Sequence, residues 1–279
     1  MSGAGKRQRL TLRIAAIPMG LLALSCLYPI FFAVNNALKT RHDYMLDRFG
    51  LAMQPTLDNF VQAWTRAHLD EYFLNSVIAT LGAVILLMVV SSMAGFALAS
   101  LRFPYRRFLF AVILSSLMIP VQVVLVPFMR TMLALNLVNT HIGLILSYTA
   151  FFLPFSVYMM TAFYSGLPRE LIEAARIDGA SLLQVWWHVM LPLGTPALVT
   201  LAILNTLSCW NDILISLLVM QKHRTLMVGI SALKGQYSDQ IPLFFFTAGI
   251  VIAAAPIVVL YILFQRRIVS GIAVGAVKG

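Results

Sequence analysis

Six stretches of this chain are long enough to cross a bilayer while carrying at most one charged side chain apiece, and nothing else in the sequence constrains the fold as strongly. They are Ile14 to Leu38, Tyr72 to Leu101, Phe108 to Met129, Ile142 to Tyr164, Pro192 to Val219 with Asp212 as its one charge, and Gln240 to Gln265. A hydrocarbon core of roughly 30 Å asks for about 20 apolar residues in a helix. Strands do not serve: an open sheet leaves backbone groups unpaired in lipid, and the runs lack the alternation of a membrane barrel. The expectation is an all-α membrane protein with six transmembrane helices. Charged residues form only 11% of the 279, against roughly 25% in soluble domains.

The placement of charge removes several classes of function. The formal net charge is +10, but the cations flank apolar runs instead of gathering on one soluble face, so the partner they imply is the lipid bilayer and no nucleic acid. Cys26 and Cys209 lie inside apolar runs without C-x-x-C spacing and read as buried thiols. Gly3 to Lys6, "GAGK", lacks the earlier glycine, the following Ser or Thr and the preceding strand of a phosphate loop. His42, His68, His141, His188 and His223 show no metal spacing, and no G-x-S-x-G elbow is present. The basic start "MSGAGKRQRLTLR" precedes a run too long for a secretory signal, so it is read as a retained first span.

Lys and Arg in the short loops set the orientation. With a cytoplasmic N-terminus, the inside segments hold Lys6, Arg7, Arg9, Arg13, Arg102, Arg106, Arg107, Arg169, Arg176, Arg266, Arg267 and Lys278, twelve of the 20. Both termini then face the cytoplasm, while Lys39 to Glu71 and Gln221 to Asp239 face outward. Pro18, Pro29, Pro120, Pro127, Pro154 and Pro256 fall within the runs and free backbone groups, which lipid tolerates only where helices pack against protein.

One inward stretch is unlike the rest: "ELIEAARIDGASLLQVWWHVMLPL", Glu170 to Leu193, is charged, amphipathic and broken by a glycine. Pro168 suits a helix start, and Glu170 falls in the first turn, where the helix dipole favours a carboxylate. Arg169, Glu173 and Arg176 are spaced to lace its wet side, leaving Leu171, Ile172, Ala174 and Ala175 as a small apolar face. Gly179 permits a turn, and Leu182, Val185, Trp186 and Val189 resume helical spacing before Pro192 opens the next run. The pattern predicts helix, turn, helix along the cytoplasmic membrane face.

The spacing Glu173-Ala174-Ala175, Gly179, Val189, Leu191-Pro192 resembles the E-A-A-x3-G-x9-I-x-L-P signature of ABC importer permeases, with valine for isoleucine. "PTLDNFVQAW", "WND" at Trp210 to Asp212, "SALKGQYS" and the terminal "GAVKG" are similar to the carbohydrate branch, in particular to its maltose-type second permease. "SDQIPLFFFTAG" is more aromatic than that branch, and "WNDILISLLV" lacks its frequent proline. The resemblance implies a type I ABC importer permease fold, with 168–190 holding a cytoplasmic coupling helix between the fourth and fifth spans. It assigns ATPase coupling to Glu173, Ala174, Ala175, Gly179, Leu191 and Pro192. It implies three regions: 1–72 for the N-terminus, first span and external loop, 73–267 for the core permease domain, and 268–279 for a cytoplasmic tail.

On the same footing, the expected protein is a multi-pass, non-catalytic subunit in the bacterial inner membrane that binds no cofactor itself, ATP and Mg being held by a partner ATPase dimer. A second homologous permease and an extracytoplasmic solute-binding protein complete the assembly, and the cargo is a sugar or related polyol. Glycerol phosphate, an amino acid or another solute is the alternative. A secondary transporter would show an inverted repeat and paired mid-depth charges, and neither is visible. Asp212, the one acid inside a run, is with Asn211 the candidate for the translocation path or gate; the other reading is an interfacial acid capping a turn.

Overall fold

A computed structural model describes the backbone of residues 3–236 and 243–276 and the side chains of 16–233 and 245–264. The side chains of Lys6, Arg7, Arg9, Arg13, Arg266 and Arg267, the end of "SALKGQYS", the start of "SDQIPLFFFTAG" and most of the "GAVKG" tail with Lys278 lie outside the described residues. Among those described, every regular element is helical. In chain order they are α1 (Gly3–Ala37), α2 (Arg41–Leu46), α3 (Asp58–Arg66), α4 (Leu69–Ser100), α5 (Arg106–Ser116), α6 (Val121–Ala134) and α7 (His141–Ser165). Then follow α8 (Glu170–Ile177), α9 (Leu182–Val185), a π turn (Trp186–Met190), α10 (Leu191–Leu193), α11 (Thr195–Trp210), α12 (Leu214–Val219), α13 (Leu226–Gln236) and α14 (Leu243–Ala276).

Four helices are long and apolar enough to cross a membrane: Ala16–Ala37, Leu69–Ser100, His141–Ser165 and Phe245–Phe264. Two bent pairs bring the number to as many as six if each pair is one span. The run expected as the third span, Phe108 to Met129, is divided between α5 and α6, which meet at 102°. Pro120 supplies the reason. Its ring disfavours helical backbone at Ile119, and Pro120 is itself extended (φ −61, ψ 131) as the N-cap of α6. The fifth run is bent by 76° between Leu182–Leu193 and Thr195–Trp210, and its helix stops at Trp210 instead of running on to Val219. Asp212 thus lies beyond the helix rather than within it.

The chain forms two compact units, residues 1–69 with 230–255 and residues 70–229 with 256–279. In the first, Asn59 of α3 donates from Nδ2 to the carbonyls of Ala37 (2.7 Å) and Lys39 (2.8 Å). Asn35 donates to the Gly50 carbonyl at 2.8 Å and accepts from the Ala52 amide at 3.0 Å. Asn59 thus satisfies carbonyls at and just beyond the end of α1, while Asn35 ties that end to the following loop. Lys39, fully buried, donates from Nζ to the Asp47 carbonyl at 2.7 Å. Asp47 folds its carboxylate over its own turn, accepting from the amides of Phe49 and Gly50. Those amides, Gly50 first and then Phe49, hold its pKa below the ordinary carboxylate range.

The second unit is built on α4, α7 and α11. A Cβ on Gly95 would stand 2.6 Å from Met160 Cβ and 3.0 Å from the Thr161 amide nitrogen, so α4 and α7 approach backbone to backbone there. Small residues permit such contact between apolar helices, which gain little from hydrophobic burial in lipid. α11 is fastened to α7 by Asn205, which donates to the Ser156 hydroxyl at 2.9 Å, both residues buried. An interhelical bond of this kind is worth roughly 0.6 kcal/mol on average in membrane proteins. One apolar cluster gathers Ala79, Ala83, Leu144, Tyr148, Cys209 and Ile215. A second gathers Phe96, Met160, Tyr164, Trp186, Met190 and Leu201.

Candidate functional site

The Glu170 to Leu193 stretch is two short helical arms joined by a tight turn. α8 begins with Glu170 and Glu173 in its first turn and Arg176 in its last, the charge order its dipole favours. Arg176 does not pair with Glu173 but donates to the Ala180 carbonyl at 2.8 Å. The helix ends in a Schellman arrangement: the Gly179 amide bonds the Arg176 carbonyl at 3.1 Å, and the Ala180 amide bonds that of Ala175 at 3.0 Å. This needs a left-handed residue, and Gly179 has φ +84. A Cβ at Gly179 would meet nothing within 4 Å, so glycine is required by conformation and not by crowding.

The second arm opens with a capping box. Ser181 Oγ accepts from the Gln184 amide at 3.3 Å, and Gln184 Oε1 accepts from the Ser181 amide at 2.7 Å. The expected helical spacing holds to Val185 and then widens into the π turn, closed by the Leu191 amide on the Trp186 carbonyl. Pro192 follows at once; its ring would press on the carbonyl four residues back, and the wider turn relieves that contact.

The small apolar face expected of Leu171, Ile172, Ala174 and Ala175 divides by direction. Ile172, Ala175 and Ala180 pack against the cluster that holds Tyr164, Trp186 and Met190. Glu173, Ala174 and Gly179 point to the surface with Ile177, which is 85% exposed. Leu191 is half-buried in the same cluster and Pro192 is exposed. Glu173, Ala174 and Gly179 therefore belong to a presented surface, whereas Ala175 and Leu191 belong to its foundation. Nothing in the segment is arranged for covalent chemistry, and no group of three or more His, Cys, Asp or Glu fit for a metal occurs among the described residues.

Asn211 and Asp212 sit at the far end of α11. Asn211 is exposed and donates back to the Leu207 carbonyl at 2.8 Å. Asp212 is half-buried and accepts three hydrogen bonds, from the Ser216 amide (2.8 Å), the Ile215 amide (3.3 Å) and the Tyr148 hydroxyl (3.2 Å). Its carboxylate starts α12 and ties it to α7. Trp210 beside it is buried, edge-on to Phe73 at 5.5 Å. Sequence reasoning did not find Tyr148, Ser156 or Tyr164. The first two are polar groups at helical positions in an apolar run, a visible signal, but their partners lie 64 and 49 residues away.

Known proteins with similar sequence and structure agree among themselves. The family described as binding-protein-dependent transport system inner membrane component matches residues 88–274. The diacetylchitobiose uptake system permease protein NgcG of Streptomyces coelicolor is 34% identical over 271 residues, covering 95% of this chain and 90% of that protein. The arabinooligosaccharides transport system permease protein AraQ of Halalkalibacterium halodurans is 35% identical, covering 95% and 96%. The melibiose/raffinose/stachyose import permease protein MelC of Bacillus subtilis is 31% identical, covering 96% and 98%. In structure, the chain superposes on a chain from a bacterial ABC transporter involved in the import of the acidic polysaccharide alginate, with a TM-score of 0.83. That match covers 93% of this chain and 97% of the other at 21% identity, and it speaks for the fold alone.

Proposed function

The chain belongs to the family of binding-protein-dependent transport system inner membrane components, and we propose that it is one of two permease subunits of an ATP-driven importer for a sugar or related polyol. Relatives named for diacetylchitobiose, arabinooligosaccharides and melibiose, raffinose and stachyose support the cargo class. In this reading each bent pair counts as one span, giving six, with both termini in the cytoplasm, and the regions 1–72, 73–267 and 268–279 keep the roles expected of them.

The observation that carries the mechanism is the divided face of α8. A surface that must transmit force needs an exposed contact patch and a rigid mount. Glu173, Ala174 and Gly179 provide the patch, while Ile172, Ala175 and Leu191 anchor the mount. The segment acts as a coupling helix seated in a groove of an ATPase subunit. ATP and Mg bind to that partner, whose closure moves the segment and with it the spans; this chain makes no covalent bond. Solute delivered by an extracytoplasmic binding protein passes between this chain and a second homologous permease. Asn211 and Asp212 stand at the outer end of that path, where Asp212 holds the α12 turn as part of a gate.

The test is to tag the chain, solubilise its membranes in mild detergent, and determine by native mass and peptide identification what accompanies it. An ATPase pair and a second permease are expected. A lone chain or homodimer that takes up solute without an ATPase would overturn the reading.

A further inference from the structure

The joint between the second arm of the coupling segment and α11 holds features the proposed function does not use. Gly194 sits at the 76° bend between Leu182–Leu193 and Thr195–Trp210. It is buried, and a Cβ there would stand 2.6 Å from the Tyr164 hydroxyl oxygen, 2.9 Å from Tyr164 Cε1 and 3.0 Å from the Met190 carbonyl. The ring of Tyr164, on α7, is thus packed against the bend, in space only glycine leaves open.

Tyr164 is 2% exposed, and its hydroxyl has no hydrogen-bond partner among the described residues; the indole nitrogen of Trp186, in the same cluster, has none either. An unpaired buried donor is costly, roughly 1–3 kcal/mol, so an arrangement that gave either group an acceptor would gain stability. Two candidate acceptors belong to the same bend. Pro192 and Pro196 have no amide to donate, so the carbonyls four residues before each, at 188 and 192, lose their ordinary helical partners. The Gly194 amide bonds the Met190 carbonyl at 2.8 Å and also faces that of Pro192. The π turn immediately before adds a second adjustable element, since one residue of slack separates it from α-helical register.

We propose that Tyr164 and Gly194 form a two-position joint: in the bent position described, the Tyr164 hydroxyl is unpaired, and in a straighter position it donates to a carbonyl freed by Pro192 or Pro196. Tyr164 is a positioning residue. It sets the balance between two angles of the fifth span and so converts displacement of the coupling segment into rotation of α11. The inference rests on the proposed function, because it takes the ATPase as the source of displacement. Its chemistry is contained in this chain.

The experiment uses the assembled transporter in proteoliposomes, with Cys26 and Cys209 replaced and spin labels at Leu183→Cys and Ser208→Cys, one on each arm and both exposed. ATP-driven uptake by the labelled parent is verified first; failure at that stage counts against the proposed function and not the joint. Distances between the labels are then measured by pulsed electron resonance without nucleotide and with trapped ATP. Two distance populations are expected, with nucleotide moving weight between them. Tyr164→Phe keeps the ring and removes the hydroxyl, and should shift the ratio about fivefold toward the bent form, the value of one net hydrogen bond. Gly194→Ala should disfavour the bent form; if that variant fails to assemble, Tyr164→Phe alone decides. A single distance indifferent to nucleotide, in a parent that transports, would overturn the joint, as would an unchanged ratio in Tyr164→Phe.

Discussion

The Tyr148 hydroxyl donates to the Asp212 carboxylate at 3.2 Å across 64 residues of sequence, and the same carboxylate caps α12 through the amides of Ile215 and Ser216. The one acid in the fifth apolar run therefore already accepts three hydrogen bonds from its own chain. Asp212→Ala removes the cap and strands a buried hydroxyl, and should cost about 1–3 kcal/mol, seen as a lowered Tm in detergent; Asp212→Asn should recover most of it. Reduced uptake by Asp212→Ala with Tm unchanged and membrane levels matched would reassign the carboxylate to solute contact.

Gly179 separates conformation from docking. Gly179→Ala meets open space and strains only the left-handed backbone, so it should cost about 1 kcal/mol and leave coupling weakened. Gly179→Asp adds a charge to the presented surface and should leave the protein inserted while abolishing solute-stimulated ATP hydrolysis. Normal stimulation in the aspartate variant would refute the docking assignment.

Ala174 and Ala175 are neighbours with opposite expected phenotypes. Ala174 is exposed and Ala175 packs on the cluster of Tyr164 and Trp186. Ala174→Glu should block ATPase association in co-purification with little change in Tm. Ala175→Glu should lower Tm, because it forces a carboxylate toward an apolar cluster. Equal effects on both measurements would mean that the face is not divided.

Asn59→Ala removes the two bonds holding α3 to the end of α1, at roughly 1 kcal/mol each. Protease cleavage between residues 46 and 58 should accelerate several-fold in intact membranes. An unchanged cleavage rate would show that α3 is held by other contacts.

The Asp47 turn should depend on pH in one direction. Its carboxylate is more acidic in the folded chain than when free, so its contribution is present above the ordinary carboxylate value and is lost as pH falls through the lowered folded one. Hydrogen exchange at the Phe49 and Gly50 amides should quicken on acidification, while Asp47→Asn should remove the pH step. A step that persists in Asp47→Asn would place it in another group.

The long apolar helices could be read from composition because crossing a bilayer demands only length and the absence of charge. Their bends could not: proline in a membrane helix is compatible with a kink, a break or neither, and Pro120 and Pro192 produce different outcomes while Pro154 stays inside one helix. The π turn escapes notice because a ladder of five-residue bonds keeps the same apolar stripe for a single turn. Gly179 was legible, since a helix that must end in a left-handed turn selects glycine at one position. Which of two adjacent alanines faces inward was not, because it depends on where α8 lies against Tyr164 and Trp186. Tyr148 and Asp212 meet only through tertiary structure, so neither announces the other.

α1 is pinned at its C-terminal end, where Asn35 and Asn59 tie its last turn to the loop and to α3, while the described side chains from Ala16 to Phe31 are exposed. Mechanically that is a lever with its pivot at the tip. Over 22 residues at 1.5 Å per residue, about 33 Å, a swing of roughly ten degrees about the clamp carries the far end through about 6 Å. With the contacts of Asn35, Asn59 and Lys39 gathered at that one end, any slack there would reappear enlarged at the other.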